Sequence, residues 1–211
     1  MLSEMAYPEG FDPHTLKSIR TFKDRLAYVK EKLGKWMGKG SSRGVFPVDS
    51  RKVLKIALNN KGLIQNEREI LNYQPNYGIL AELFDFDEES NLWIEMEKLS
   101  KASDSSLQKH GVSNFSELYY ILQSEHERST GKINPHSWIM IKKYKNFNNE
   151  DDIWENEFLS DLLRFLVDYG FLKYYHEYSS RDNWGVNSSG EMKLLDFGYD
   201  DETNEVYFGN R

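Results

Sequence analysis

Asn183 and Asp196 stand thirteen residues apart in the stretch "DNWGVNSSGEMKLLDFG". Two short apolar runs, "WGV" and "KLLDF", flank a turn at Ser188-Ser189-Gly190, and this pattern predicts a hairpin. An amide oxygen and a carboxylate at the mouth of such a hairpin are hard ligands suited to magnesium. Upstream, Lys55 lies inside the apolar run "VLKIA". Side chains alternate along a strand, so Val53, Lys55 and Ala57 share one face. A lysine on that face needs an anionic partner. Glu67 in "QNEREIL", twelve residues on, is the candidate, with Glu69 the fallback. Earlier still comes "GKGSSRGV", Gly38 to Val45. Its glycines, Gly38 and Gly40 among them, would let a backbone turn approach phosphate oxygens closely and aim N–H groups at them. It is not a Walker A loop: Gly34 and Gly38 are one residue too close, and Gly40 follows Lys39 where Ser or Thr is required.

These residues need elements to hold them. Leu16, Ile19, Leu26, Val29 and Leu33 form one apolar stripe, which predicts a helix over Pro13–Leu33 with Asp12 as its N-cap. The period then changes. "RGVFPV" and "KVLKIAL", joined by "DSR", predict a β-hairpin. "GLIQNEREILNY" predicts a helix, and "GILAELFDFDEESNLWIEMEKL" a strand, an acidic turn and a strand. Beyond Leu99 the pattern is helical. "NFSELYYILQSE" is one candidate helix, capped by Asn114. "DDIWENEFLSDLLRFLVDYGFLKYY" is a longer one, with Trp154, Phe158, Leu162, Phe165 and Leu166 on one face and a break at Gly170. "LSKASDSSLQKHGVSNF" and "STGKINPHSW" read as surface loops. A β-rich half followed by a helical half predicts a two-lobed α+β domain.

Composition narrows the function classes. A chain of 211 residues fits one domain or two small lobes. A net charge of -7 argues against broad binding to nucleic acid or anionic membranes. Charged residues make up 29% and mean hydropathy is -0.71, and the apolar runs are far shorter than the roughly 20 residues of a membrane span. "MLSEMAYPEGFDPHT" has acids and a proline where a signal peptide has basic and then apolar residues, so the expected location is cytoplasmic. With no cysteine, disulfides and thiolate metal sites are excluded. His110, His126 and His136 lack metal-ligand spacing.

Taken in order, these motifs resemble the protein-kinase superfamily from about Trp36 to Gly198. "GKGSSRGV" resembles the glycine-rich loop, with Arg43 in place of its third glycine. "VLKIA" resembles the third-strand motif, which implies that Lys55 contacts the α- and β-phosphates of ATP. "NEREIL" resembles the following helix, which implies Glu67 as the ion-pair partner. "LWIEMEKL" resembles the hinge, with Met96 as gatekeeper and Glu97 and Leu99 offering backbone groups to adenine. Asn183 and the Asp196 of Asp-Phe-Gly fall on the two magnesium-ligand positions. The resemblance implies a two-lobed protein-kinase-like fold with a β-rich N-lobe and a reduced helical C-lobe. Its limits would be an N-terminal helical extension at 1–34, an N-lobe at 35–99 and a C-lobe at 100–211.

One segment departs from the family. "HEYSSRDN" keeps His176, but Tyr178 stands at the position of the catalytic base. Asp182, which adjoins Asn183, is favoured to replace it over Glu177, which is offset by one residue. Only "YDDETNEVYFGNR" follows Asp-Phe-Gly, so an ordinary activation segment and peptide-docking platform are not expected. Short kinase-like chains of this kind resemble some encoded by bacteriophages. Three readings follow. The first is an ATP- and Mg2+-dependent phosphotransferase acting on a protein hydroxyl. The second is a pseudokinase that works as a binding or inhibitory protein. The third is a small-molecule or nucleotidyl transferase on the same fold.

Overall fold

The structure, a computed structural model, describes residues 7–132 and 134–208. Met1–Ala6 of the stretch read for a signal peptide lie outside these residues. So do Ile133 of the "STGKINPHSW" segment and 209–211 of the C-terminal tail. The chain is α+β and forms two compact units. The first comprises residues 7–73, 82–98 and 201–208, and the second comprises 74–81 and 99–200.

The first unit opens with Asp12, whose carboxylate accepts the His14 N–H at 2.9 Å and caps a 3-10 turn, Pro13–Ser18. The single helix expected over Pro13–Leu33 is in fact two pieces. Ile19 is extended, and Thr21 starts a new helix, α1 (Phe22–Leu33), by accepting the Asp24 N–H at 3.1 Å. A threonine hydroxyl satisfies an orphan N–H of a first turn best from non-helical backbone, so the cap forces the break. The apolar stripe survives it: Leu16 and Val29 are buried in one core, with Ile19, Leu26 and Leu33 packed against it.

Five strands follow: β1 (Gly38–Lys39), β2 (Arg43–Pro47), β3 (Lys52–Ala57), β4 (Leu83–Phe86) and β5 (Trp93–Glu97). They form one antiparallel sheet in the order β1-β2-β3-β5-β4. Helix α2 (Asn60–Asn72), capped by Asn59, lies between β3 and β4 in sequence. Apart from β1, this is the order of strands and helix that the sequence pattern predicts. Register fixes what each face carries. Phe46 opposes Leu54, and Ile56 opposes Trp93. These four point into the core shared with Phe11, Leu16 and Val29. Directly opposed residues project to the same side and their neighbours to the other. Val45, opposite Lys55, and Met96, opposite Val53, therefore share the second face with Lys55. The N-terminal segment contributes Phe11, Leu16 and Val29 to this unit's core. A C-terminal helix, Asp201–Phe208, also belongs to this unit, with Glu202 paired to Arg68 of α2. The sequence pattern did not predict this helix.

The second unit holds β6 (Ser100–Lys101), α3 (Asp104–Gln108), α4 (Phe115–Ser129), α5 (Pro135–Tyr144), α6 (Glu150–Glu155), α7 (Glu157–Asp168), α8 (Tyr175–Tyr178), β7 (Trp184–Val186) and β8 (Met192–Leu194). Asn114 caps α4 as expected, accepting the Glu117 N–H at 2.9 Å. Two segments read as loops contain α3 and α5. Their helices start at Ser103 and at Asn134-Pro135, ordinary cap and N1 residues that a composition rich in Ser, Asn and Gly obscured. The long helix expected over "DDIWENEF…" is divided at Asn156. That residue ends α6 and caps α7 by accepting the Leu159 N–H at 3.0 Å. Trp154 therefore belongs to α6, and the buried face of α7 is Phe158, Leu162, Phe165 and Leu166 with their neighbours. Gly170, at φ 69, ends the segment as expected. Among the described residues no helix is long and apolar enough to cross a membrane.

Candidate functional site

In the first unit the chemistry centres on Lys55. The residue is only 6% exposed, because β3 is an inner strand of the sheet. Its ammonium donates to Glu69 Oε2 at 2.9 Å and to Oε1 at 3.1 Å, and Glu69 is fully buried. The expected partner was Glu67, and the structure corrects this by two residues. Helical positions advance by about 100° per residue, so residues two apart face different ways. Asn66, Glu69 and Asn72, spaced by three, form the buried polar edge of α2. Arg43 joins the pair, donating from Nη1 to Glu69 Oε1 at 2.7 Å. Sequence reasoning noted Arg43 only as a missing glycine. Its i-parity with Val45, opposite Lys55, was the signal that placed it on this face.

The glycine-rich segment is a tight turn between β1 and β2, closed by the Gly40 N–H donating to the Arg43 carbonyl at 2.9 Å. Neither φ nor packing requires glycine at positions 38 and 40. A Cβ at Gly38 would meet nothing within 4 Å, and one at Gly40 only the Arg43 oxygen at 3.9 Å. Space of this kind above two glycines suits close approach by a ligand. Gly62 differs, because a Cβ there would lie 2.3 Å from the Ser42 oxygen. That glycine lets α2 press against the turn, and the Leu58 N–H fixes the same oxygen at 2.7 Å. At the end of β5, Met96 is fully buried. The Glu97 N–H already donates to the Glu82 carbonyl at 2.8 Å.

In the second unit, β7 and β8 pair antiparallel with Trp184 opposite Leu194. The Leu195 N–H donates to the Asn183 carbonyl at 2.8 Å, which carries the ladder one step further. Asn183 and Asp196 therefore emerge at the same end of this hairpin, as their spacing predicted. The Asn183 Nδ2 donates to the Glu177 carbonyl at 2.9 Å, which turns its Oδ1 the other way. The loop between His176 and Asn183 is an α8 turn followed by a 3-10 turn, Arg181–Asn183. Its acids differ in setting. Glu177 is half-buried, 3.6 Å from His176 Nε2; burial, with nearby Glu177 adding to it, holds the Tyr199 hydroxyl pKa up. The side chain of Asp182 is 82% exposed and lies 3.2 Å from Lys101 Nζ. Tyr178 is fully buried and its ring stacks on Phe171 at 5.9 Å. Its hydroxyl donates to the Tyr199 carbonyl at 2.7 Å, and its own carbonyl accepts from Trp184 Nε1 at 2.9 Å. Tyr178 therefore packs the core and anchors the segment just past Asp196-Phe197-Gly198.

The same unit has a cavity of about 960 Å³ that includes His110, Asn156, Phe158, Asp161, Arg164 and Lys193 in its lining. None of the residues singled out from the sequence as site residues lines it. His110 stacks on Phe158 with ring centroids 4.8 Å apart. Burial, helped by Lys109, holds the pKa of His110 below its usual value. Burial raises the pKa of Asp161 although its carboxylate accepts the Ile79 N–H at 2.8 Å.

No family model and no curated protein matches this chain. A solved structure of the streptomycin-ATP-APH(2")-IIa ternary complex is similar to it at 12% identity and a TM-score of 0.36, over 85% of this chain and 71% of that one. A likeness this distant carries no functional argument.

Proposed function

We propose that the chain is a kinase-like phosphotransferase that binds ATP and transfers its γ-phosphoryl group to a hydroxyl of a protein. The buried Lys55–Glu69 pair carries this reading. A lysine with its head fixed by a helical carboxylate, on the sheet face next to two open glycines, suits the α- and β-phosphates of a nucleotide. In the first unit, Gly38, Gly40 and Lys55 would serve the phosphates and the Glu97 backbone adenine; Leu99, the other backbone contact to adenine, belongs to the second unit. The second unit would supply Asn183 Oδ1 and the Asp196 carboxylate to Mg2+. Two hard oxygen donors fit an ion that takes its remaining ligands from phosphate and water. When bound, the metal would neutralise charge developing on the transferred group. Of the two acids near Asn183, Glu177 is the better candidate base, because Asp182 is exposed beside Lys101.

A second reading has its own support. Tyr178 occupies the position of the usual base and is committed to the core, which favours a pseudokinase that binds nucleotide without transfer. Incubation with γ-labelled ATP and Mg2+, alone and with cell lysate, decides between them. Label transferred to a protein, and lost in Asp196→Ala, supports the enzyme. ATP binding without transfer to any component supports the pseudokinase.

A further inference from the structure

Arg43 stands where the glycine-rich loop of the kinase class carries a glycine, and the function proposed above gives it no role. Register puts it opposite Ala57, on the Lys55 face of the sheet. It is 7% exposed, and its Nη1 lies 2.7 Å from Glu69 Oε1. That same oxygen accepts from Lys55 at 3.1 Å, while Oε2 accepts from Lys55 at 2.9 Å. One fully buried carboxylate on α2 therefore serves a cation from β2 and a cation from β3. The two cations differ in kind. A guanidinium is a rigid planar fork that dictates the direction of the carboxylate it holds, whereas an ammonium on a four-carbon stem follows its partner.

We infer that Arg43 is a positioning residue: acting through Glu69, it fixes the Lys55 ammonium and clamps β2, the strand leaving the glycine-rich turn, to α2. To the adaptable contact that Lys55 makes with Glu69, Arg43 adds a rigid, directional one. With Arg43, the Glu69 carboxylate is held from two strands at once. A mobile glycine is exchanged for a fixed Lys55 head. The clamp needs no ligand, and only its effect on ATP affinity rests on the function proposed above.

The test is a double-mutant cycle on the full chain with Arg43→Met, Glu69→Gln and the two combined, plus Arg43→Lys. The first readout is amide hydrogen exchange without ATP. Arg43→Met is expected to speed exchange in residues 62–72 by about tenfold while β5 amides keep their rates, since a buried bond to a charged group is lost locally. Arg43→Lys keeps the charge and should recover only part of that protection. In the Glu69→Gln background, Arg43→Met should add nothing. Equal acceleration in β5 and α2, or an undiminished effect in the Glu69→Gln background, overturns the clamp. If Glu69→Gln fails to fold, the selectivity of Arg43→Met and its partial rescue by Arg43→Lys decide alone. The second readout is ATP affinity by calorimetry, expected to fall about tenfold in Arg43→Met and to be unchanged by it in Glu69→Gln. An effect that persists there means that Arg43 touches nucleotide itself, which overturns action through Glu69. A wild-type chain with no ATP affinity would instead sink the proposed function, and the exchange cycle would still judge the clamp.

Discussion

Glu67 and Glu69 stand two residues apart on α2, yet only Glu69 is fully buried and paired with Lys55. Removing Glu69 leaves two buried cations without that carboxylate. Breaking a buried pair in this way costs about 3–5 kcal/mol. Glu69→Ala should therefore lower the urea midpoint of the first unit steeply. Glu67→Ala, at a half-buried position outside that pair, should cost clearly less, about 1 kcal/mol. Equal losses in the two variants would place the pair wrongly. The acids of the "HEYSSRDN" loop allow a second comparison. If Glu177 is the base, Glu177→Gln should cut turnover by about 10²–10⁴-fold with ATP affinity kept. Asp182→Asn, altering an exposed group beside Lys101, should turn over near the wild-type rate. The reverse pattern would assign the proton to Asp182.

At the scale of elements, Asn156 joins α6 to α7 and also donates its Nδ2 to the His110 carbonyl at 2.8 Å. Asn156→Ala removes a cap and that bond, and should cost about 1–2 kcal/mol in denaturant unfolding. A neutral result would mean that α7 is held by its apolar face alone. His110 beside it gives a pH test. Its pKa in the folded chain lies below the usual 6.5, so the unfolded chain binds more protons between the two values. Stability is then full above about 6.5 and is lost as pH falls toward the folded value. Thermal midpoints of wild type should drop on acidification below pH 6.5, and His110→Phe should flatten that slope. An unchanged slope would show that another group titrates. The raised pKa values of Glu117 and Asp161 act with the opposite sign, since their folded forms favour the proton. Subtracting the variant curve from wild type separates the histidine from them.

For the whole molecule, a ligand that binds only folded chain raises its stability by an amount set by concentration over Kd, about 2.7 kcal/mol at a hundredfold excess. ATP with Mg2+ should raise the thermal midpoint by calorimetry. Lys55→Met should remove the rise, and Asp196→Ala should remove its magnesium-dependent part. No rise in wild type at millimolar ATP would leave a chain whose Lys55–Glu69 pair serves structure only. With a net charge of -7, little affinity for nucleic acid is expected at ordinary salt.

Much of this was legible in the sequence because it is local. Strand alternation put Lys55 on one face, and a hairpin turn brought Asn183 and Asp196 to one end. Asn114 started the helix it was expected to start, while Asp12 capped only the 3-10 turn Pro13–Ser18 of the longer helix expected there. The choice of Glu69 over Glu67 was not local, because it depends on the angle at which α2 lies on the sheet, and Gly62 sets that by admitting the Ser42 oxygen. The breaks at Thr21 and Asn156 were hidden because apolar periodicity ran straight through both, while a single side-chain oxygen started a new helix at each. Arg43 read as a departure from a pattern, and only the register of β2 on β3, with α2 packed across them, made it a partner of Glu69. Tyr178 likewise read as a missing base, and packing against Phe171 and Tyr199 made it a core residue. Sequence determined which residues share an element and a face. The tertiary structure decided which of them meet, because contacts between elements depend on packing angles that no local period encodes.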